Sequence, residues 1–600
     1  MEQVPVNSGA TPDQTPADQP PATLSKNEQK RRAKQEAAAA RKAEKAAKAP
    51  PPSSTAKTTQ EEEIDPRKYY ENRRKDMDAA NLPPQYRYET NTNVQAFLDE
   101  YAYLKKGEQV EDKEIRIAAR IYNKRTSGNK LIFLDVKHRD VKLQVMCQLQ
   151  NAPSPEEFQK QHEHIMRGDW VGIRGFPGVT SPKNRETGQL SVFAREVVLL
   201  SPCYALLPGE YYGFKDQEQR YARPYLDLIM NEQRGSILRL RSRAMNYIRN
   251  FFVERDFVEV ETPMMQAIAG GATAKPFETF HNALNQPLYM RIAPELALKK
   301  LIVGGMDRVF EIGKNFRNEG IDHTHNPEFT SAEAYQAFGD MYTMIDLTED
   351  LVSGLVKHIT GSYETTYHTQ EGEELHVNWK GPWKRVDIIS TLEEATGEKF
   401  PPATELHTDE TNAFLKRVLE KCKIECSPPQ TSARIIDKLI GEFIEEKCIN
   451  PTIIMNHPLI MSPLARDHRE RAGLTERFEV FVCKHEIVNA YSELNDDREQ
   501  QRRFEEQARQ KAAGDDEAQM LDSDFIDALK HALPPTGGWG MGIDRVVMYL
   551  ADVYNIQEVL AFPMMKSAMQ SGQQLPVRPA EEADSSNPAT VVAPTPATAP

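Results

Sequence analysis

The chain has 600 residues with 75 Lys+Arg and 89 Asp+Glu, which gives a formal net charge of −14. This length predicts several domains with sizeable cores, because single domains usually span ~100–200 residues. No apolar run approaches the ~18 residues of a membrane-spanning helix, which excludes an integral membrane protein. The start, MEQVPVNSGATPDQTPADQP, lacks the apolar core of a secretory signal and the Arg-rich pattern of an organellar one, so we expect neither.

Residues 1–65 and 567–600 are predicted to be disordered, because Pro, Ala, Thr and Ser dominate and large apolar residues are scarce. Within the first segment, Lys26 to Lys48 contain nine Lys/Arg and three Glu, a local charge of +6. Such a basic extension attracts a phosphate backbone. A solvated, partly helical tail fits the same composition equally well.

Residues 66–112 are predicted as a helical lead-in, and residues 113–205 alternate in short strand-like runs broken by Gly, Asn and Asp. That pattern predicts a β-barrel of about five strands. Phe133 is accompanied by basic residues, which suits an OB-fold that stacks single-stranded bases; they are Arg116, Arg120, Lys124 and Arg125. Alternatively, Phe133 belongs to the barrel core. Residues 206–232 are predicted as a helical linker and 233–566 as one mixed α/β domain.

Six cysteines are too few for a disulfide framework; they are Cys147, Cys203, Cys422, Cys426, Cys448 and Cys483. The close pair, Cys422 and Cys426, lacks the second pair that would complete a zinc site. We therefore expect buried free thiols and a reducing cytosol.

Two strand-like runs around the polar, Gly-bearing loop 318–325 predict a β-hairpin. Side chains alternate across a strand, so one face should carry Val309, Glu311, Gly313, Asn315 and Arg317 from the first strand, with Phe329, Ser331, Glu333 and Tyr335 from the second. The opposite face is largely apolar. An Arg held on a strand can bind a phosphate through two parallel hydrogen bonds, and an adjacent ring offers a surface to a nucleobase. The alternative is an Arg–Glu pair on a solvated sheet.

The segment LTERFEVFVCKHEIVNAYSELNDD places Glu479, Glu486 and Glu493 seven residues apart among strand-forming residues. Carboxylates in apolar strands are costly unless they bind a cation or hydrogen-bond donors. Mg²⁺ prefers one or two carboxylates plus phosphates, so Glu479 and Glu486 form a candidate pair. Strict alternation puts Glu486 opposite to Asn489 and Glu493, so a common site requires a bulge or twist. The alternative is an edge strand with solvated glutamates.

The segment PPTGGWGMGIDRVVMYLADV combines a glycine-rich turn with an amphipathic helix predicted to start near Ile543. Glycines allow the backbone to approach a ligand closely, and Arg545 in the first turn lies near free amide groups that favour a phosphate. A tight connection is the alternative.

Together these segments resemble class II aminoacyl-tRNA synthetases and, within them, the lysyl-tRNA synthetases of the IIb group. MNYIRNFFVERDFVEVETPMM is similar to motif 1 (about 241–263), FRNEGID with HNPEFT to motif 2 (about 309–335), and GGWGMGIDR to motif 3 (about 537–550). GGATAKPF, MRIAPEL and LTERFEVFV with EIVNAYSELND resemble the lysine-specific blocks. The resemblance implies an α+β chain with an N-terminal OB-fold barrel, a catalytic domain whose antiparallel sheet is flanked by helices, and an insertion at about 360–465.

The resemblance also implies residue roles. An ATP site would comprise Arg317, Asn318, Glu319, His325, Asn326, Phe329, Glu486, Ile487, Gly542, Ile543, Asp544 and Arg545. Of these, Arg317 would grip the α-phosphate, Phe329 and Arg545 would sandwich the adenine, and Arg317 and Arg545 would be catalytic. The lysine pocket would comprise Gly271, Glu295, Glu333, Tyr335, Asn489 and Glu493. Mg²⁺ would bind Glu479 and Glu486, and the anticodon would bind Arg120, Phe133 and Gln144.

By the same resemblance, we expect a cytosolic, eukaryotic-type homodimer that activates L-lysine with ATP and transfers it to tRNA(Lys), with a larger synthetase complex as a further possibility. An aspartyl or asparaginyl enzyme is the nearest alternative, but its anionic substrate requires a cationic pocket. A noncatalytic RNA-binding scaffold is a second alternative, which should have lost ATP-site residues. The chain departs from the family pattern at Ala297 and Asp256, and His323 has no evident role.

Overall fold

The structure is a computed structural model that describes residues 65–183, 186–209, 213–512 and 519–565. The chain divides into two compact units, residues 1–73 and 74–600. The described part of the first unit is residues 65–73, which contain the start of α1 (Pro66–Ala80). The predicted disorder at residues 1–65 and 567–600 lies, apart from residue 65, outside the described residues.

The first folded layer of the second unit is a closed barrel with strand order β1-β2-β3-β5-β4. Its strands are β1 (Ile115–Thr126), β2 (Leu131–His138), β3 (Val141–Gln148), β4 (Trp170–Val179) and β5 (Leu190–Ser201), and α2 (Val94–Glu100) and α3 (Pro155–Glu163) accompany them. Alternate residues of β1 point inward, including Ile117 and Ile121, and pack with Ile173 and Val192. The period-2 pattern thus closes a small apolar core, and the predicted OB-fold is confirmed.

The β2–β3 turn joins the barrel to the rest of the unit. Arg139 and Asp140 both have positive φ (50° and 68°), as a two-residue hairpin turn requires. Asp140 forms an ion pair with Arg239 of α6 (Glu232–Val253), and a Cβ at Gly235 would lie 2.5 Å from Asp140 Oδ2. The turn therefore fits closely against the start of α6, and only glycine leaves it room.

The catalytic-domain sheet has strand order β14-β15-β16-β17-β18-β11-β10-β6. Its strands are β6 (Val258–Glu259), β10 (Arg308–Phe316), β11 (Glu328–Ala337), β14 (Lys384–Asp387), β15 (Thr452–Met455), β16 (Arg477–Val482), β17 (His485–Ser492) and β18 (Thr536–Gly542). Neighbours are antiparallel except at the two edges, β10–β6 and β14–β15. The predicted antiparallel sheet flanked by helices is confirmed.

Helices cover this sheet; they are α4 (Gln217–Ala222), α5 (Pro224–Met230), α6, α7 (Glu295–Val303), α8 (Met341–Thr360), α12 (Asp497–Ala512), α13 (Ser523–Leu529) and α14 (Ile543–Ala551). The apolar side of β10–β11, including Phe310 and Ala332, packs into one core with α6, α8 and α14. Burying that side leaves the opposite side of the hairpin to form a site.

Within the described residues, two smaller sheets and three further helices accompany the main sheet. A three-stranded sheet comprises β7 (Met265–Gln266), β8 (Glu278–His281) and β9 (Gln286–Met290), and a two-stranded one comprises β12 (Glu364–His368) and β13 (Glu374–Asn378). The insertion adds α9 (Ile388–Thr396), α10 (Asp409–Cys422) and α11 (Ser432–Phe443), which pack around their own apolar core. Among the described helices, none combines the length and apolarity that crossing a bilayer requires.

Asp256 occupies a turn in which φ is +62°, the left-handed region that favours glycine. Among the residues with a Cβ, Asp is one of those that tolerate this conformation best, so the departure from the family pattern at Asp256 fits the backbone.

Candidate active site

A cavity of about 400 Å³ opens on the polar side of the sheet, between β10, β11, β16, β17 and β18. Most of the predicted ATP, Mg²⁺ and lysine residues line it: Gly271, Glu295, Arg317, Glu319, His325, Asn326, Phe329, Glu333, Tyr335, Glu479, Glu486, Ile487, Asn489, Glu493, Gly542, Asp544 and Arg545. Two predicted residues do not line it. Ile543 is fully buried in the helix-side core, and Asn318 is exposed and uses its backbone N–H to bond Lys275 O at 2.7 Å.

The β10–β11 pairing produces the predicted cluster. Asn315 pairs with Phe329 and Glu311 with Glu333, so the alternate residues that include Arg317 lie on the cavity side. The Arg317 guanidinium lies 5.1 Å from the centroid of the Phe329 ring. Its Nε is buried and has no hydrogen-bond partner among the described residues. A buried donor without a partner is costly, so this Arg is suited to an anion entering the cavity.

Arg545 lies opposite, in the first turn of α14, which begins at Ile543 as predicted. It donates to the Glu486 carbonyl at 2.7 Å and contacts His325 Nε2 at 3.0 Å. The other ring nitrogen of His325 lies 2.9 Å from Asp322. Because Arg545 can only donate, His325 accepts at Nε2 and donates at Nδ1. Burial acts to raise the pKa of Asp322, but its bonds with Thr324 and His325 outweigh burial and lower it to about 2.

Both carboxylate oxygens of Asp544 have partners within the protein, so this residue stabilises the cavity wall. One oxygen pairs with Arg241 of α6 and the other accepts the Thr330 N–H at 2.7 Å. Arg241 also donates to Thr330 Oγ1 at 2.9 Å. Asp544 therefore locks α6, β11 and α14 together beside the Arg545 guanidinium.

Glu479 and Glu486 lie on adjacent strands along one wall. Phe481 pairs with Glu486 while Val480 pairs with Val488, so β17 has one extra residue at Ile487. This bulge confirms the expectation that alternation must break for Glu486 to share a site with Asn489.

The two carboxyls have opposite pKa shifts. Burial acts to raise the pKa of Glu479, but Arg477 at 2.6 Å and His457 at 3.3 Å outweigh it and lower the value to about 2. Burial and then the charge of Glu479 raise the pKa of Glu486. A divalent cation between them would relieve that repulsion. The described residues contain no cluster of three or more His, Cys, Asp or Glu side chains that could hold a metal ion.

The other end of the cavity is acidic. Glu295 from the first turn of α7 and Glu493, just after β17, converge on one buried cation, Lys299. Lys299 Nζ lies 2.5 Å from Glu295 Oε1 and also pairs with Glu493 Oε2. The Tyr491 hydroxyl donates to Glu295 Oε1 at 2.7 Å. Glu493 Oε1 has no hydrogen-bond partner among the described residues.

Burial dominates the electrostatics of this end. It raises the pKa of Glu333 to about 8, helped by the nearby charge of Glu295. It also raises the pKa of Glu493 well above its usual range, while Lys299 opposes that rise. A Cβ at Gly538 would lie 1.8 Å from Glu493 Oε1, so glycine is needed at this point of β18.

In the barrel, the structure brings together only two of the three predicted anticodon residues. Phe133 and Gln144 lie on the adjacent strands β2 and β3, and Gln144 accepts from Ser191 at 3.1 Å. Arg120 lies elsewhere, over the Trp170 ring at 5.1 Å and bonded to Gly168 O at 2.8 Å. The basic side chain beside Phe133 is Arg125, 5.5 Å from the ring centroid.

Several groups of the site were not predicted. Arg477, Tyr491 and the 461–465 loop of the insertion line the cavity, while Lys299 and His457 lie behind its wall and pair with Glu493 and Glu479. Lys299 could have been found, since it lies one helical turn after Glu295. His323 is now explained in part, because its carbonyl accepts the Ile556 N–H at 2.8 Å and anchors the loop. Ala297, on α7, has no site contact that explains it.

Comparisons with known proteins agree with this geometry. Residues 216–566 match the family model "tRNA synthetases class II (D, K and N)", and residues 115–200 match "OB-fold nucleic acid binding domain". Lysine–tRNA ligase cla4 of Cladosporium cladosporioides is 58% identical over 82% of this chain and 83% of its own length. A probable cytoplasmic lysine–tRNA ligase of Encephalitozoon cuniculi is 44% identical over 82% and 95%. A lysine–tRNA ligase of Thermotoga maritima is 39% identical over 83% and 96%.

Proposed function

The chain belongs to the class II tRNA synthetases of the D, K and N group, and we propose that it is a lysine–tRNA ligase that activates L-lysine with ATP and transfers it to tRNA(Lys). The observation that carries this proposal is the polarity of one cavity. Its nucleotide end presents Arg317 and Arg545, and its other end presents Glu295 and Glu493. An ammonium that leaves water requires buried carboxylates to receive it.

At the nucleotide end, Arg317 binds the α-phosphate, and the adenine lies between Phe329 and Arg545. The partnerless Nε of Arg317 and the ring beneath it support this assignment. The remaining ATP contacts come from the wall around them, with Glu319, His325, Asn326, Ile487 and Gly542. Asn318 and Ile543 act through backbone position, since their side chains face away from the cavity.

Mg²⁺ fits beside this end, with Glu479 and Glu486 as its protein ligands, because both line the cavity and each disfavours the other's charge. When bound, the ion neutralises charge on the pyrophosphate group of ATP. Arg477 holds Glu479 in place at 2.6 Å, so the protein orients this ligand through a neighbouring cation.

The reaction needs no side-chain nucleophile. The lysine carboxylate attacks the α-phosphorus and pyrophosphate leaves, which gives lysyl-adenylate. The terminal ribose hydroxyl of the tRNA then attacks the lysyl carbonyl, loses its proton, and displaces AMP as the leaving group. Gly271, Glu333, Tyr335 and Asn489 complete the lysine pocket around its acidic end. Rate enhancement comes from positioning and from the charge of Arg317 at the reacting phosphate.

The barrel binds the anticodon through its outer β2–β3 surface. Phe133 offers a ring for stacking, Gln144 an amide for base edges, and Arg125 a cation beside the ring. We expect Phe133→Ala to raise the KM for tRNA by ~10-fold, because base stacking contributes about 1–3 kcal/mol. Lysine-dependent pyrophosphate exchange without tRNA should stay unchanged in the same variant. A lowered exchange rate would contradict a role confined to tRNA.

The enzyme acts as a cytosolic homodimer. Support comes from large apolar side chains left exposed near motif 1, which are Val258, Met264, Met265, Phe280 and Leu284. A second copy of the chain would cover them. Light scattering on the purified protein should give twice the mass of 68.1 kDa. A monomeric mass would contradict this part of the proposal.

The decisive experiment is ATP–pyrophosphate exchange with each amino acid in turn. Lysine should support exchange far better than any other amino acid. Preference for aspartate or asparagine would show that the acidic groups serve another purpose, and no exchange with any amino acid would favour a noncatalytic protein.

A further inference from the structure

The acidic end of the cavity already contains a cation of the protein. Lys299 is fully buried, and its ammonium lies between Glu295 and Glu493. Nothing in the lysine-binding proposal requires it, and an enzyme that attracts a cation gains nothing in net charge from a second cation of its own. Its placement therefore needs a separate explanation.

Lys299 contacts one oxygen of each carboxylate. It shares Glu295 Oε1 with Tyr491, and it forms an ion pair with Glu493 Oε2. Glu493 Oε1, which a Cβ at Gly538 would meet at 1.8 Å, has no hydrogen-bond partner among the described residues. The Lys299 ammonium thus anchors both carboxylates at the cavity wall.

The charges of the buried groups also indicate that Lys299 serves Glu295 and Glu493. Two buried carboxylates without a counter-ion cannot both stay ionised, because burial and mutual repulsion favour a proton on one of them. Other ionisable groups facing this centre are Glu333 and Tyr335 from β11 and Tyr491 from β17, and none supplies a cation. Phe525 of α13 and Tyr491 place their rings 5.7 and 5.6 Å from Nζ, which further favours an ammonium there.

We propose that Lys299 is a positioning residue: as a permanent counter-ion between Glu295 and Glu493, it holds both carboxylates in place and favours the ionised form of Glu493, so that the pocket accepts one substrate ammonium. This inference rests on the proposed function, and it assigns to Lys299 no direct contact with the reacting atoms. When both carboxylates are ionised, the internal ammonium leaves the three groups with a single negative charge, which matches the one side-chain charge of lysine.

The test measures the KM for lysine by pyrophosphate exchange between pH 6.5 and 9, for wild type, Lys299→Met and Lys299→Arg. Lys299→Met should raise the KM at pH 7 by roughly 10- to 100-fold while leaving the KM for ATP unchanged. The ratio of the variant KM to the wild-type KM should fall as pH rises, because the carboxyl that lost its counter-ion ionises only at higher pH. Lys299→Arg keeps the charge, so its ratio should not vary with pH.

Lys300→Met is the matched control, because Lys300 is the next residue on α7 and pairs with Asp524 at the surface. It should match wild type at every pH. If Lys299→Met does not fold, the double variant Lys299→Met with Glu493→Gln removes the excess buried charge. Its KM should be raised by a factor that does not vary with pH.

A Lys299→Met ratio near 1, or one that stays raised without changing with pH, would overturn the role of Lys299 while leaving the proposed function intact. Wild-type enzyme that shows no exchange with lysine would overturn both.

Discussion

The two ends of the active-site cavity are suited to substrate groups of opposite charge, one to an anion and the other to a cation. At the nucleotide end, Arg317 keeps a buried Nε without a partner, so the site holds a donor ready for an anion. At the acidic end, Glu295 and Glu493 are already paired with Lys299. The difference follows from charge: the ATP triphosphate brings many oxygens and several negative charges, while the lysine side chain brings one ammonium that must displace water from carboxylates.

The contrast between the two ends of the cavity can be tested first at the nucleotide end. Arg317→Ala should lower lysine-dependent pyrophosphate exchange by at least ~10³-fold, because it removes a charge that acts on the reacting phosphate. Thermal melting and tRNA binding should stay close to wild type. Lys314→Ala, in the strand that ends one residue before Arg317, is the control and should remain active, because Lys314 pairs with Glu328 at the surface. Near-normal exchange in Arg317→Ala would refute its assignment.

The substitution Glu493→Gln tests the acidic end of the cavity. We expect the KM for lysine to rise by about 100-fold, since a buried charge pair loses one partner and the substrate loses one carboxylate. The KM for ATP should change little. A kcat loss without a change in the lysine KM would place Glu493 with the chemistry instead of with the amino acid.

Two glycines of β18 allow the two ends of the cavity to be tested separately, because one lies beside Glu493 and the other lies at the nucleotide end. Gly538→Ala should raise the KM for lysine by roughly 10-fold, since its Cβ would displace the Glu493 carboxylate. Gly542→Ala has open space around the new Cβ, so the lysine KM should not change. Equal effects of both substitutions on lysine would show that the strand backbone, and not Glu493, sets the pocket.

The smallest expected effect is a pH dependence from Glu333. Burial raises the pKa of Glu333 to about 8, which favours the protonated carboxyl at neutral pH, and the ionised form would bind a cationic substrate better. The KM for lysine should therefore fall by a few-fold as pH rises through about 8. Glu333→Gln should remove that dependence. A wild-type KM that rises over the same interval would contradict the assigned role.

The sequence was most informative where local periodicity decides geometry. Alternation along 309–317 and 329–335 was enough to place Arg317, Phe329 and Glu333 on one face, with Phe310 and Ala332 in the core. The Gly542–Ile543 boundary gave the correct start of α14. A bulge or twist in β17 was also expected, because strict alternation would keep Glu486 away from Asn489 and Glu493, and the structure has a bulge at Ile487.

The rest depended on contacts between distant segments. Lys299 matters only because Glu493, nearly 200 residues later, returns to the same point. His457 and the 461–465 loop reach the site from the insertion, whose own sequence carries no chemical motif. The family resemblance grouped Arg120 with Phe133 and Gln144, but Arg120 pairs with Trp170 of β4 across the barrel and lies over that ring.

Helix α6 links two places that would otherwise be unrelated. Near its start, Arg239 grips the Asp140 turn of the barrel, and two residues later Arg241 holds Asp544 beside the nucleotide end. The two arginines are only two residues apart on the helix. A rotation of α6 about its own axis would therefore strain the ion pair at the barrel turn and the ion pair at the cavity wall at the same time.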